Sequence, residues 1–153
     1  MLSQSCKYGI RAAIYLALKE KEGFVSINEI SKNLDIPFHF LTKTLQMLTQ
    51  NKLLQSNKGP KGGVRLSISA ERITLMEVVL AIDGAKLFEQ CIIGLPGCGV
   101  LKPCPLHEEW SAALEIIKRT LNESTLAHLA RRVKDESLRI TDLNNADFLT
   151  EMK

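Results

Sequence analysis

The segment from Cys91 to His107, CIIGLPGCGVLKPCPLH, holds the side chains of this chain that are best suited to chemistry. It contains three of the four cysteines and three of the five prolines, so its backbone must be irregular. Three thiols and an imidazole in one loop form a set of soft metal ligands. The candidate ligands are Cys91, Cys98, Cys104 and His107.

These residue types fit three kinds of site: zinc, an iron–sulfur cluster, or reactive thiols without metal. Zinc sites commonly use cysteines two to four residues apart, and the sequence has no C-x-x-C. Ligands spread over a loop rich in proline and glycine suit a larger group, whose sulfurs need backbone N–H donors nearby. His107 could instead cap the helix that follows it.

The whole chain has 153 residues, 45% of them hydrophobic, which is enough for one ordinary core. No apolar run reaches the length of a membrane span, and the N-terminus lacks a signal-peptide cleavage site. We therefore expect a cytoplasmic protein that does not associate with membranes, with cysteines that act as ligands, sensors or packing residues. There is no cofactor fingerprint or paired acid–base set, so we do not expect an enzyme.

Ahead of the loop, the apolar spacing predicts three helices. The first runs from about Ser5 to Lys19, and a capping box, Ser26-Ile27-Asn28-Glu29, begins the second. Pro37 lies in the first turn of the third helix. Two short helices joined by a brief turn predict a helix-turn-helix, whose second helix enters the major groove of DNA. Its polar outer face carries His39, Thr42, Lys43 and Gln46.

A glycine-rich hairpin follows this motif, with the turn NKGPKGG between two strands. Such a hairpin after a helix-turn-helix predicts a wing that contacts the DNA backbone. Between Ile36 and Ala70 there are five cations and no acidic residue, as expected of a surface that meets phosphates. We add four residues to the candidate DNA contacts: Ser26, Lys58, Lys61 and Arg65.

After the loop, the spacing predicts a long amphipathic helix that ends near Asn122. Its apolar stripe needs a partner, which is either the core of its own chain or the same helix of a second subunit. The stripe residues that we expect to support dimerisation are Trp110, Leu114, Ile117 and Leu121. Charge dominates from Lys134 onward, so residues 134–153 are expected to form a flexible tail.

Several stretches together resemble one known family, the IscR/NsrR/CymR-type winged-helix regulators of the Rrf-two superfamily. They are the helix near Cys6-Lys7-Tyr8-Gly9-Ile10-Arg11-Ala12, the SINEIS box, KGPKGGVRLS at the wing, and ITLMEVVLAIDG after it. The cysteine triplet with CPLHEEW is similar to the cluster-binding members. The resemblance covers roughly residues 1–133, and the wing and the cysteine loop are its most specific parts.

The resemblance implies a homodimeric transcription regulator that binds a palindromic DNA operator. It also implies a response to iron–sulfur, redox or nitric oxide status through a cluster, with [2Fe-2S] favoured. The cluster ligands carried over are Cys91, Cys98 and Cys104, and His107 falls where IscR-like members place their non-cysteine ligand. The alternative is a metal-free regulator of the same fold that responds through its thiols, a partner protein or a metabolite.

The chain departs from the family pattern at several positions. Val64 stands at the wing where an aromatic residue is common, and Thr42-Lys43 stand where many members have Glu-Gln, so we expect a different DNA sequence to be read. Six residues separate the first two cysteines of the loop and five the next two. Lys7 and Tyr8 stand where some members supply an acidic ligand, which favours His107.

The expected fold is therefore mainly α with a small β-wing: a winged helix-turn-helix domain plus a long dimerisation helix. We divide the chain into a DNA-binding domain over residues 1–84, a sensor and dimerisation region over residues 85–133, and the tail.

Overall fold

The computed structural model describes residues 1–142 and has the predicted mainly helical fold with a two-stranded wing. The helices are, in chain order, α1 (Gln4–Leu18), α2 (Ile27–Leu34), α3 (Phe38–Gln50), α4 (Leu75–Asp83), α5 (Lys86–Glu89), α6 (His107–Glu123) and α7 (Leu126–Asp135). The strands are β1 (Leu54–Asn57) and β2 (Gly63–Leu66). Single 3-10 turns occupy Glu20–Glu22 and Ala70–Arg72.

Helix α1 lies at the centre of the head, the name used below for residues 1–84. It contacts α2, α3, α4 and α7, and all five residues from Ala12 to Leu16 are buried. Gly9 lets α4 come close, because a Cβ there would lie 2.2 Å from Cδ1 of Ile82. The head thus buries its apolar residues around one central helix, which gives α3 a rigid support.

The helix-turn-helix forms as predicted, but one of its caps differs from the prediction. The Ser26 hydroxyl accepts a hydrogen bond from the backbone N–H of Glu29 at 3.1 Å, as in a capping box. The Glu29 carboxylate does not complete that box; it accepts from the Tyr15 hydroxyl at 2.7 Å. Tyr15 is fully buried, and a buried hydroxyl without a partner is costly, so this long-range bond takes precedence.

The wing is held to the head by a third extended segment. β1 and β2 pair antiparallel with Leu54 opposite Leu66, and Val25 forms a two-bond bridge with Val64. Gly63 has φ 152°, and a Cβ there would lie 2.0 Å from the carbonyl oxygen of Val25. Glycine is therefore required at position 63, where the wing meets the start of α2.

Helix α4 joins the head to the second half of the chain. Thr74 and Glu77 form a complete capping box at its start, and Gly84 follows the helix with φ 71°. Helix α6 packs against α4, and α7 packs against α1. Although α7 belongs to the predicted second region, it thus lies against the head.

The chain continues in contact with the head beyond α7. Arg11 donates from Nε to the carbonyl of Ile140 at 2.6 Å, and Thr141 is buried. Residues 143–153 of the predicted flexible tail lie outside the described residues. Across residues 1–142, none of the helices has the length and apolar character that crossing a membrane requires.

Candidate functional site

The cysteine loop, Cys91–His107, lies between α5 and α6 and is folded by a series of tight turns. Gly94 and Gly97 have φ 79° and 70°, which most other residues avoid. The Gly94 N–H donates to the Cys91 carbonyl at 2.9 Å, and Gly99 forms a bridge with Lys102. These turns fold the loop back on itself, so cysteines distant in sequence come together.

The three loop thiols form one group. The Sγ atoms of Cys91, Cys98 and Cys104 all lie within 4.8 Å of one another, and Cys91 and Cys104 are 3.6 Å apart. His107 is not a member of this mutually close set, but its Nδ1 lies 3.6 Å from Cys98 Sγ. The structure thus brings the four predicted ligands to one place, with His107 at its edge beside Cys98.

The group favours thiolate at one of its members. Hydrogen bonds to the Cys91 sulfur from the backbone of Leu95 and Ile93 and from the neighbouring thiols lower its pKa to about 7, despite partial desolvation. At Cys98 a hydrogen bond from the Cys104 backbone lowers the pKa, but desolvation and the neighbouring thiols outweigh it, so the net pKa is raised. The Cys91 thiol therefore loses its proton at a lower pH than the Cys98 thiol.

This donor set fits an iron–sulfur cluster. Such clusters are bound by cysteine thiolates and are tuned by hydrogen bonds to sulfur, which the backbone next to Cys91 supplies. All four cysteines are free thiols. The fourth, Cys6, lies buried in α1, where burial and Asp83 raise its pKa to about 12. The three loop cysteines could therefore bind a cluster, whereas Cys6 is a packing residue.

The outer face of α3 presents the predicted base-reading side chains. His39, Lys43 and Gln46 are exposed, and Thr42 is half-buried at the edge of this face. The opposite face, with Leu41, Leu45 and Leu48, is buried in the head. Ser26 is exposed at the start of α2, where its oxygen caps the helix.

The wing carries exposed cations in its hairpin turn and on strand β2. Lys58 and Lys61 are exposed in the turn. Arg65 donates from Nε to Gln55 Oε1 at 3.0 Å, and its guanidinium lies 4.6 Å from the centre of the Phe24 ring. The sequence analysis did not identify Gln55 and Phe24 as supports of Arg65. The cross-strand pairing of Gln55 with Arg65 was a usable signal; the Phe24 contact depends on the tertiary fold.

The α6 stripe is only partly covered by its own chain. Leu114 is buried, but Trp110 and Leu121 are half-exposed and Ile117 is 39% exposed. Trp110 also donates from Nε1 to the Gln90 carbonyl at 3.1 Å, which ties the helix to the start of the cysteine loop. Leu80 on α4 and Ile116 add further exposed apolar surface.

Comparison with known proteins identifies the family. The model of the Rrf2 family, described as iron-dependent transcriptional regulators, matches residues 2–132. The HTH-type transcriptional regulator IscR of Erwinia tasmaniensis is 31% identical over 146 residues, which cover 95% of this chain and 87% of that protein. These relatives are transcription regulators, not enzymes.

Solved structures of other regulators have the same fold. CymR, the global cysteine regulator of B. subtilis, superimposes with a TM-score of 0.73 and 25% identity, covering 85% of this chain and 95% of that one. IscR of T. potens has the same fold, with a TM-score of 0.73 at 20% identity over 91% of this chain and 92% of its own. The chain therefore belongs to the Rrf2 family and is a DNA-binding transcriptional regulator of the IscR type.

Proposed function

We propose that this protein is a homodimeric regulator that binds a palindromic operator and senses iron–sulfur, redox or nitric oxide status. The observation that carries the proposal is the approach of three loop thiols to within 4.8 Å of one another. A structural role alone does not require three converging thiols in one irregular loop, whereas a cluster does.

Cys91, Cys98 and Cys104 would hold the cluster, with [2Fe-2S] favoured and His107 as the fourth ligand. The cluster would supply a centre that oxidants or nitric oxide can alter. The similarity to an IscR regulator supports this assignment. The chain's own contribution is to fold the loop so that its sulfurs converge and to place backbone N–H groups beside Cys91.

On the DNA side, α3 would enter the major groove with His39, Thr42, Lys43 and Gln46, while Ser26, Lys58, Lys61 and Arg65 would contact phosphates. Two copies related by a two-fold axis would read two half-sites, hence a palindrome. The exposed parts of the α6 stripe support the homodimer, since apolar side chains such as Ile117 gain from burial against a second copy.

A contiguous set of contacts links the loop to the recognition helix α3. Trp110 connects α6 to Gln90 at 3.1 Å, and α6 packs on α4. Asn51, directly after α3, donates from Nδ2 to the carbonyls of Met47 at 2.9 Å and Ala81 of α4 at 3.3 Å. A change in the order of the loop could therefore shift α6 and α4 and so bias the position of α3.

The test is the absorption spectrum and the iron and sulfide content of protein purified without oxygen. We expect visible charge-transfer absorption in the wild type and its loss in Cys98→Ala. Cys6→Ala is the matched control, because it removes a buried thiol outside the group and should keep the colour. Full colour in Cys98→Ala, with iron and sulfide retained, would remove Cys98 from the site.

A second candidate is a metal-free regulator that responds through its thiols. The 3.6 Å separation of the Cys91 and Cys104 sulfurs favours it, since a small movement would allow a disulfide. This candidate would be supported over the cluster if protein free of iron and sulfide changed its DNA affinity on mild oxidation. The Cys91→Ala variant should then show no such change.

A further inference from the structure

A groove lies between the recognition helix and the wing, and two of the proposed base-reading residues, Thr42 and Gln46, line it. Its volume is about 460 Å³, and we call it the reading groove. Its walls include the apolar side chains of Ile27, Leu45 and Val64, and Thr42 and Gln46 line it from α3. An apolar groove on a DNA-facing surface is suited to an apolar group of a base edge.

The hydroxyl of Thr42 is already engaged within its own helix. Its Oγ1 donates to the Phe38 carbonyl at 2.8 Å, the backbone group one turn earlier. Thr49, which also lines the groove, does the same towards Leu45 at 2.8 Å. Because each hydroxyl has only one proton, these threonines have no donor left for a base. Thr42 can still offer the groove its methyl, and its hydroxyl oxygen can act there only as an acceptor.

Gln46 is in the opposite situation. Its side chain is exposed, and its amide makes no hydrogen bond to any residue within 1–142. It lies one turn after Thr42, about 6 Å further along the helix axis. That spacing corresponds to one to two base pairs of DNA, whose bases stack about 3.4 Å apart.

We propose that Thr42 and Gln46 read a thymine and a nearby adenine in the major groove. The thymine C5-methyl is the apolar group that a base edge presents there, and it would enter the reading groove against the Thr42 methyl. The Gln46 amide matches the N6 donor and N7 acceptor of adenine. This inference rests on the proposed function, since it requires α3 to lie in the major groove.

The first experiment replaces single thymines by deoxyuridine, which removes only the C5-methyl. The full-length protein first selects its preferred site from a random duplex library. Its affinity is then measured by fluorescence anisotropy for duplexes with each thymine replaced in turn. We expect one thymine per half-site at which the wild type loses about fourfold in affinity, the contribution of about one buried methyl group.

Two variants separate the methyl from the hydroxyl. Thr42→Val keeps a methyl and lacks the hydroxyl, so it should remain sensitive to deoxyuridine at that position. Thr42→Ser keeps the hydroxyl and lacks the methyl, so it should bind thymine and deoxyuridine equally. The opposite result, with sensitivity kept by Thr42→Ser and lost by Thr42→Val, would overturn the assignment.

The second experiment replaces adenines by 7-deazaadenine, which lacks the N7 acceptor. At one adenine, one or two base pairs from the sensitive thymine, we expect about a tenfold loss for the wild type and no further loss for Gln46→Ala. Gln50→Ala, one turn further along α3 in the lining of the same groove, is the matched control and should keep the sensitivity.

The outcomes distinguish this inference from the proposed function. Enrichment of a specific site that shows neither sensitivity would overturn the roles of Thr42 and Gln46 and leave the regulator intact. Failure to enrich any site, with cluster-loaded and cluster-free protein alike, would overturn the proposed function itself, and this inference with it.

Discussion

The head and the cysteine loop with α6 are built in opposite ways. The head buries residues 12–16 of α1 and the inner faces of α2, α3 and α4 in one core. Over residues 85–125 only Cys104 and Leu114 are buried, while Val100 and Leu101 are 89% and 95% exposed. The head therefore has a tightly packed core, which Leu126 and Val133 of α7 complete. The cysteine loop and α6 bury few side chains of their own, so a bound group or a second subunit would add order to them. This property suits a sensor.

The largest expected difference between the head and the cysteine loop is in how much the loss of a side chain lowers the free energy of unfolding. Leu45→Ala removes a side chain that is 1% exposed and packs in the head. We expect a loss of about 2–5 kcal/mol in the free energy of unfolding, measured by urea denaturation. Leu101→Ala, in the loop, is the matched control and should stay within about 0.5 kcal/mol of the wild type. A comparable loss in both variants would mean that the loop packs as tightly as the head.

The two regions also hold thiols of opposite reactivity. In protein stripped of metal by a chelator, Cys91 should react with iodoacetamide at a rate that rises as the pH increases through about 7, because its thiolate form then becomes dominant. Cys6, with a pKa of about 12, should stay at least about 100-fold less reactive at pH 8. Mass spectrometry of the peptides measures both. In metal-loaded protein Cys91 should be protected, and equal labelling of the two thiols would contradict the comparison.

We expect the exposed apolar stripe of α6 to be covered by a second copy of the chain. Ile117→Glu places a charge on the exposed stripe and should dissociate the dimer, because an interface that buries an unpaired carboxylate is strongly disfavoured. Sedimentation velocity should show a monomer. Arg119→Glu, which adds the same side chain at an exposed position of α6, should remain dimeric. A dimeric Ile117→Glu protein would place the dimer interface elsewhere.

The sequence predicts local features better than it predicts side-chain contacts between distant residues. The capping box at Thr74 and Glu77 depends on four consecutive residues, and it is complete. The similar box at Ser26 forms only by half, since Tyr15, fourteen residues before Glu29, competes for its carboxylate. Local patterns therefore predict elements, and buried long-range partners decide which side-chain bonds are made.

The functional residues show the same limit. The residue types of the loop predicted that its cysteines are ligands, but their separation of less than 4.8 Å follows from turns that no periodicity encodes. Likewise, the sequence suggested Thr42 as a hydrogen-bonding group, whereas its hydroxyl is engaged by Phe38. The support of Arg65 by Phe24 required the fold, because the two residues lie on different segments.

The smallest expected effect concerns the cations of the two regions. Lys61→Ala in the wing should weaken binding to all DNA sequences severalfold and lower the slope of log affinity against log salt concentration by about one, since one phosphate contact is lost. Lys102→Ala removes an equally exposed lysine from the cysteine loop and should leave the slope unchanged. Titrations by fluorescence anisotropy at several salt concentrations measure both slopes. If Lys102→Ala and not Lys61→Ala lowered the slope, the loop would contact phosphate, and the division between a DNA-binding head and a sensing loop would be wrong. If only Lys61→Ala lowers the slope, the wing binds DNA and the loop remains available to respond to a signal.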